Sequence, residues 1–370
     1  RFPEFTKEWE EHALAEYLDF KNGLNPDVKR IGRGLPFISV MDILADGTIN
    51  YDSIRGKVEA TEREIENFSV EKGDILFQRS SETLEDVGRA NVYMDNRTAV
   101  YGGFVIRGRK IGDYNPLFFK YLLSTPLARK RTCRMGAGAQ HFNIGQDGLS
   151  KISLCFPLME EQNKIARLLS LIDERIATQN KIIDKLQSLI KGLRVCCMQR
   201  NGSNNVYLSE IAQIYQPQTI SSAELTEDGF LVYGANGIIG KYKDYNHKTE
   251  QICITCRGNT CGMVNYPKPM SWITGNAMVI NTDKYQDKVY KKYLYHYLSA
   301  YNFNSIISGS GQPQIVRTPL EKLKITLPTI SEQKQKAMIL DKIQDKIEIN
   351  HNILNLYILQ KQYLLRQMFI

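Results

Sequence analysis

Two short stretches place hydrogen-bonding side chains directly after apolar runs. Arg79 and Ser80 follow "DILF", and Arg257, Asn259 and Thr260 follow "ICIT" at a comparable place. A guanidinium can hold guanine, and a carboxamide adenine, through paired hydrogen bonds, and loops at strand ends can reach a groove. The chemistry on offer is recognition of base edges. Arg89, Tyr101, Lys241, Tyr242, Lys243, Trp272 and Asn276 lie around these stretches as further candidates. Two glycine-rich loops add Gln140, His141 and Asn143 in "GAGAQHFNI", and Gln312 and Gln314 in "SGSGQPQI". Their backbone N–H groups could meet phosphates, or could simply close a turn. Each position also fits an ordinary surface or core role.

Bond-making chemistry finds no comparable set. There is no P-loop, no His-Glu-x-x-His and no Gly-x-Ser-x-Gly, and "GANGIIG" from Gly234 lacks the strand-to-helix context of a dinucleotide fold. It reads as a tight turn. The 5 histidines are scattered. Cys253, Cys256 and Cys261 cluster in "CITCRGNTC" with His247 upstream, but a zinc site needs four ligands in suitable geometry. A strand and turn with small buried thiols is the expected reading, so no catalytic or metal residue is assigned. The acids of "EATEREIE" read as a solvated helix face.

The 370 residues suit two domains, and 42% apolar with 24% charged residues suits a globular chain. A net charge of +8 is compatible with nucleic acid without requiring it. Seven irregularly placed cysteines suggest reduced thiols in the cytoplasm. No apolar run approaches the ~18 residues of a membrane span, and "RFPEFTKEWEEH" lacks the apolar centre of a signal peptide.

The elements that must carry these residues come in duplicate. "PLMEEQNKIARLLSLIDERI" from Pro157 is echoed by "PTISEQKQKAMILDKIQDKI" from Pro328, with Glu161/Glu332, Gln162/Gln333, Ala166/Ala337 and Leu169/Leu340 identical. "LAEYLDF" from Leu14 similarly echoes "LSEIAQI" from Leu208. Each half then offers short strands, a helical segment ("NPLFFKYLLSTPLARKR" or "VYKKYLYHYLSAYNF") and its glycine loop. After the first proline, Ile165, Leu169, Ile172, Ile176, Gln179, Ile183, Leu186, Ile190 and Leu193 alternate steps of four and three. That is a heptad seam with one polar break; Asn350 breaks the second copy. Each helix is expected to span on the order of 60 Å at ~1.5 Å per residue. The expected fold is therefore mixed α/β (α+β): two similar domains separated by two long helices that pair as an antiparallel coiled coil. The divisions fall at 1–156, a helix over 157–200, a linker over 201–205, a second domain over 206–327 and a helix over 328–370.

Two variable domains, each followed by Pro-x-x-x-Glu-Gln and a long helix, resemble the specificity subunit of type I restriction–modification systems. The opening "FPEFTKEWEEHALAEYLDFKNG" is similar to the way such chains begin. The resemblance implies a non-catalytic reader of double-stranded DNA. Each target-recognition domain would read one half of a split, asymmetric site, and the helices would fix the gap. It implies methyltransferase subunits docked on the helices and a motor-nuclease subunit beyond them. S-adenosylmethionine, ATP and magnesium would sit in those partners and no cofactor in this chain. Leu168, Ile182 and Leu189 lie beside the seam without forming it and are the candidate docking contacts. A protein scaffold with a coiled-coil rod, or a nuclease with an unrecognised site, remain the alternatives from the residues alone.

Overall fold

The computed structural model describes residues 1–198, 204–235, 237–309 and 311–369. It divides into two compact units, Arg1–Asn180 with Ile353–Ile370, and Lys181–Asn352. The architecture is mixed α/β, and each unit includes part of both long helices, Met159–Met198 and Ile330–Gln367. Of the expected linker, residues 201–203 lie outside the described residues.

In the first unit an antiparallel sheet runs in the order Leu18–Asn22, Val105–Lys110, Ile75–Gln78, Ala90–Val92. Ile75 and Phe77 pack with Leu14, Phe118 and Phe119, whereas Leu76 packs with Ile38, Tyr93 and Tyr101. Successive side chains of a strand face opposite ways, so a strand covered on both faces is apolar without alternation. The second unit repeats this sheet as Gln213–Tyr215, Ala277–Asn281, Ile252–Thr255, Val264–Asn265. Ile252 and Ile254 face Leu208 and Leu294, while Cys253 enters the opposite cluster with Tyr233 and Ile273. Cys253 thus fills core space, and burial pushes its thiol up to about 12.

The halves differ in their second sheets. The first has Lys57–Val58, Ile31–Ile38, Ala99–Tyr101 and Ser69–Val70; the second has Gly237–Tyr242, Phe230–Gly234 and Trp272–Ile273. "GANGIIG" is the turn of the latter, with Gly237 at φ 86°, a left-handed backbone that favours glycine; Asn236 lies outside the described residues.

The repeated motif does the same work twice. Gln162 Nε2 donates to Pro157 O at 3.0 Å, and Gln162 Oε1 accepts from Asn115 N at 3.0 Å. Gln333 Nε2 donates to Pro328 O at 2.9 Å, and Gln333 Oε1 accepts from Tyr290 N at 2.8 Å. Asn115 and Tyr290 each precede the first residue of a helix, Pro116–Ser124 and Lys291–Ala300. One buried carboxamide therefore ties a long helix to the domain helix beside it.

The first helical segment departs from expectation. "NPLFFKYLLSTPLARKR" makes two helices, Pro116–Ser124 and Pro126–Cys133, because Thr125 is extended at φ −67°, ψ 152°. The residue before a proline is driven from the helical region, and Thr125 then caps the second helix through Ala128 N.

The seam residues are buried or half-buried along both helices. In the second unit Lys336 Nζ donates to Cys197 O at 3.0 Å and Arg194 Nη2 to Gln344 Oε1 at 3.4 Å, an antiparallel order. In the first, Lys361 pairs with Asp173 at 2.5 Å, and Met368 joins Ile165 and Leu169 in the core. Phe369 packs on Trp9 and Phe118 at ring separations of 6.1 and 5.4 Å. Gln179 is buried, and Asn350 Nδ2 donates to Lys346 O within its own helix at 2.6 Å. Leu168 is half-buried, packed against the first unit's core. Ile182 and Leu189 stay outside the seam, 40% and 48% exposed.

Candidate nucleic-acid interface

The chain leaves the central strand of each sheet and is met there by the glycine loop. In the first unit Ile144 N donates to Arg79 O at 3.0 Å, and Ser80–Ser81 pairs antiparallel with Phe142–Asn143. In the second, Ile315 N donates to Cys256 O at 3.0 Å, and Arg257 bridges to Gln314. Arg79 thus corresponds to Cys256, Ser80 to Arg257 and Asn143 to Gln314. The glycines correspond too. A Cβ on Gly138 would strike His141 O, and one on Gly309 would strike Gln312 O; both take positive φ. Both loops need a glycine to turn this tightly.

The side chains differ on this shared frame. Arg79 Nη1 donates to Gly103 O at 3.3 Å, and the Ser80 hydroxyl donates to Asn143 Oδ1. Asn143 Nδ2 donates to His141 O at 3.3 Å, while Gln140 and His141 are exposed. In the second unit Arg257, Asn259, Gln312 and Gln314 are all exposed around the bridge. Thr260 Oγ1 donates to Ala235 O at 3.2 Å, and the exposed Asn276 supplies the carbonyl for Cys256 N at 3.0 Å. A guanidinium and three carboxamides at one strand end form a donor–acceptor array suited to base edges.

Other candidates stand apart from these arrays. Arg89 pairs with Asp86 at 2.7 Å. Lys241 pairs with Asp228 at 3.3 Å, and Lys243 is exposed beyond the Tyr242 ring. Two need correction. Tyr101 is fully buried, its hydroxyl directed to Lys21 O and Asn22 O, so it cannot reach a ligand. Trp272 is buried against Tyr242 with Nε1 donating to Gln218 O at 3.3 Å, and it serves the core. Sequence reading also passed over Phe104, 68% exposed beside the Gly103 carbonyl that holds Arg79. The run "GGFVIRG" looked uniformly strand-like, and its paired glycines were the available signal.

Among the described residues no group of three or more His, Cys, Asp or Glu side chains could hold a metal ion. Nor is any helix among them long and apolar enough to cross a membrane.

Comparison with known proteins agrees with this duplicated frame. The sequence profile described as the type I restriction modification DNA specificity domain matches twice, over residues 6–188 and 201–356. The chain belongs to that family. It is 25% identical over 405 residues to the type I restriction enzyme MjaVIII specificity subunit of Methanocaldococcus jannaschii, covering 94% of this chain and 88% of that protein. It is 32% identical over 140 residues to the EcoprrI specificity subunit of Escherichia coli, covering 36% of this chain and 34% of that one. In fold it is similar to the type I restriction–modification S subunit from M. genitalium, with TM-score 0.69 and 16% identity over 100% of this chain and 97% of that one.

Proposed function

We propose that each domain of this specificity subunit reads one half of a bipartite, asymmetric DNA site and that the long helices set the gap between the halves. The observation that carries the reading is the shared loop frame with different side chains. Equivalent positions hold Arg79, Ser80 and Asn143 in one half and Cys256, Arg257 and Gln314 in the other. A common scaffold presenting two unlike arrays suits two unlike half-sites. Base contacts would specify, and phosphate contacts would position. Two modules on one connector bind tightly only when both half-sites lie at the right separation and phase.

In this reading the chain does no chemistry itself. Methyltransferase subunits carrying S-adenosylmethionine, and a motor-nuclease subunit using ATP and magnesium, join it in the cytoplasm. Ile182 and Leu189 are the contacts proposed for the methyltransferase.

Methylome sequencing of cells expressing the chain with its methyltransferase partners gives the test. One split motif should appear, and none with this chain alone. Changing Arg257 and Asn259 together to Ala should relax only the second half, by about 1–3 kcal/mol per lost bidentate contact. Equal weakening on all sequences would mean that these residues grip the backbone.

A further inference from the structure

The loop that starts at Arg79 and Ser80 has a second end. It returns through Glu85 and Arg89 into the strand Ala90–Val92, and there it walls a cavity of about 460 Å³. Residues 43–47, the helices Pro116–Ser124 and Pro126–Cys133, and Lys361 complete the lining. Its charge is lopsided: Arg89, Lys120, Arg129, Lys130 and Lys361 stand against Asp46 and Glu85. Two of those cations are already neutralised, Arg89 by Asp86 at 2.7 Å and Lys361 by Asp173 at 2.5 Å.

The other three have no carboxylate partner among the described residues. Arg129 donates to the carbonyls of Glu85 and Val87 at 2.9 and 2.6 Å, and Lys120 donates to Gly47 O. Carbonyl dipoles orient a cation without cancelling its charge. Burial pushes Lys120 down to about 8 and lowers Arg129 as well. Partly desolvated cations without a direct ion pair are stabilised by an anion that supplies one.

We infer that this recess seats a backbone phosphate of the DNA beside the first half-site, an assignment that rests on the DNA-reading function proposed above. The shared loop is the reason to choose DNA over a free anion. The loop's two ends meet where Gln78 N donates to Arg89 O at 2.7 Å. The first presents Arg79 and Ser80, and the second holds Arg129 through the Glu85 and Val87 carbonyls. A duplex read at the first end therefore runs past the cations beside the second. Phosphate contact of this kind adds affinity on every sequence and fixes the register in which bases are read.

The test uses the full chain and two duplexes, one carrying the motif found by methylome sequencing and one scrambled. Affinity is measured across a salt series for the wild type, Lys130→Met at an exposed position, and Lys120→Met. Each lost phosphate contact should reduce the slope of log affinity against log salt by about 0.9, with similar weakening on both duplexes. A second readout follows Lys120, on which Asp173, Lys361 and Asp46 act from the other elements, and which shares the cavity lining with Glu85, Arg89, Arg129 and Lys130. Wild-type affinity should fall as pH rises from 7 to 9 and Lys120 loses its proton, and Lys120→Met should flatten that profile. Unchanged slopes in both variants overturn the recess while leaving the reading intact. A wild-type chain that binds neither duplex sinks the reading and the recess with it. Inorganic pyrophosphate that binds the chain without displacing the duplex assigns the recess to a free phosphate ligand and overturns the DNA assignment.

Discussion

His296 is fully buried in the second unit, with Arg194 Nε donating to its Nδ1 at 3.2 Å and its Nε2 facing Asp341 Oδ1 at 3.0 Å. A ring that accepts from a guanidinium is neutral, with its proton on the nitrogen that faces the carboxylate. Burial, the largest influence, lowers its pKa below the ordinary 6.5, although Asp341 opposes the shift. The unfolded chain therefore takes up a proton near pH 6.5 that the folded one refuses. This contribution to stability is present above that pH and is lost as pH falls toward the folded value. Thermal melting between pH 7.5 and 5 should show a downward step, and His296→Gln should reduce it. No sequence signal marked this histidine, because neither Arg194 nor Asp341 is near it along the chain. Arg257 and Asn259 were legible since their exposure follows from a turn after an apolar strand. Tyr101 and Trp272 were misread for the complementary reason. An aromatic in a short strand close to a turn looks the same whether its ring faces a ligand or the core.

The long helices were legible as elements, because heptad spacing survives any detail of packing. The role of Gln162 and Gln333 was not. Their duplication was visible, but not that the carboxamide reaches outside its own helix. Gln333 is fully buried, and its Nε2 also donates to Lys288 O at 3.1 Å. Gln333→Ala should leave the Tyr290 N–H and two carbonyls without these partners. Chemical denaturation should show a loss of about 2–3 kcal/mol, at the level of buried polar groups left unsatisfied. Gln333→Glu retains the acceptor for Tyr290 N but loses the donor to both Pro328 O and Lys288 O, so it should recover only part. The break at Thr125 was written in the sequence as Thr-Pro, but the apolar run around it concealed the signal.

At the level of the molecule, duplication was the most legible property, since the same motif stands at Pro157 and Pro328 in front of each long helix. The second sheets were not, because their short strands differ in number and order between halves. If the exposed flank of the central helix carries the methyltransferase, Ile182→Asp with Leu189→Asp should abolish co-purification. The melting temperature should stay unchanged, since both side chains lie outside the cores. Retained co-purification would place the contact elsewhere, with the exposed Met338 and Ile339 of the other long helix as the next apolar positions.

The first compact unit is assembled from two distant pieces of chain, residues 1–180 and 353–370. Met368 and Phe369 enter its core against Phe118, Trp9 and Leu169. Synthesis at ~5–20 residues per second delivers the first piece many seconds before the second. Through that interval a finished sheet waits on the ribosome with an apolar surface open where the last helical turns belong. The unit begun first is therefore completed only after the second has been made, and its open surface must stay unaggregated until the segment from Ile353 arrives.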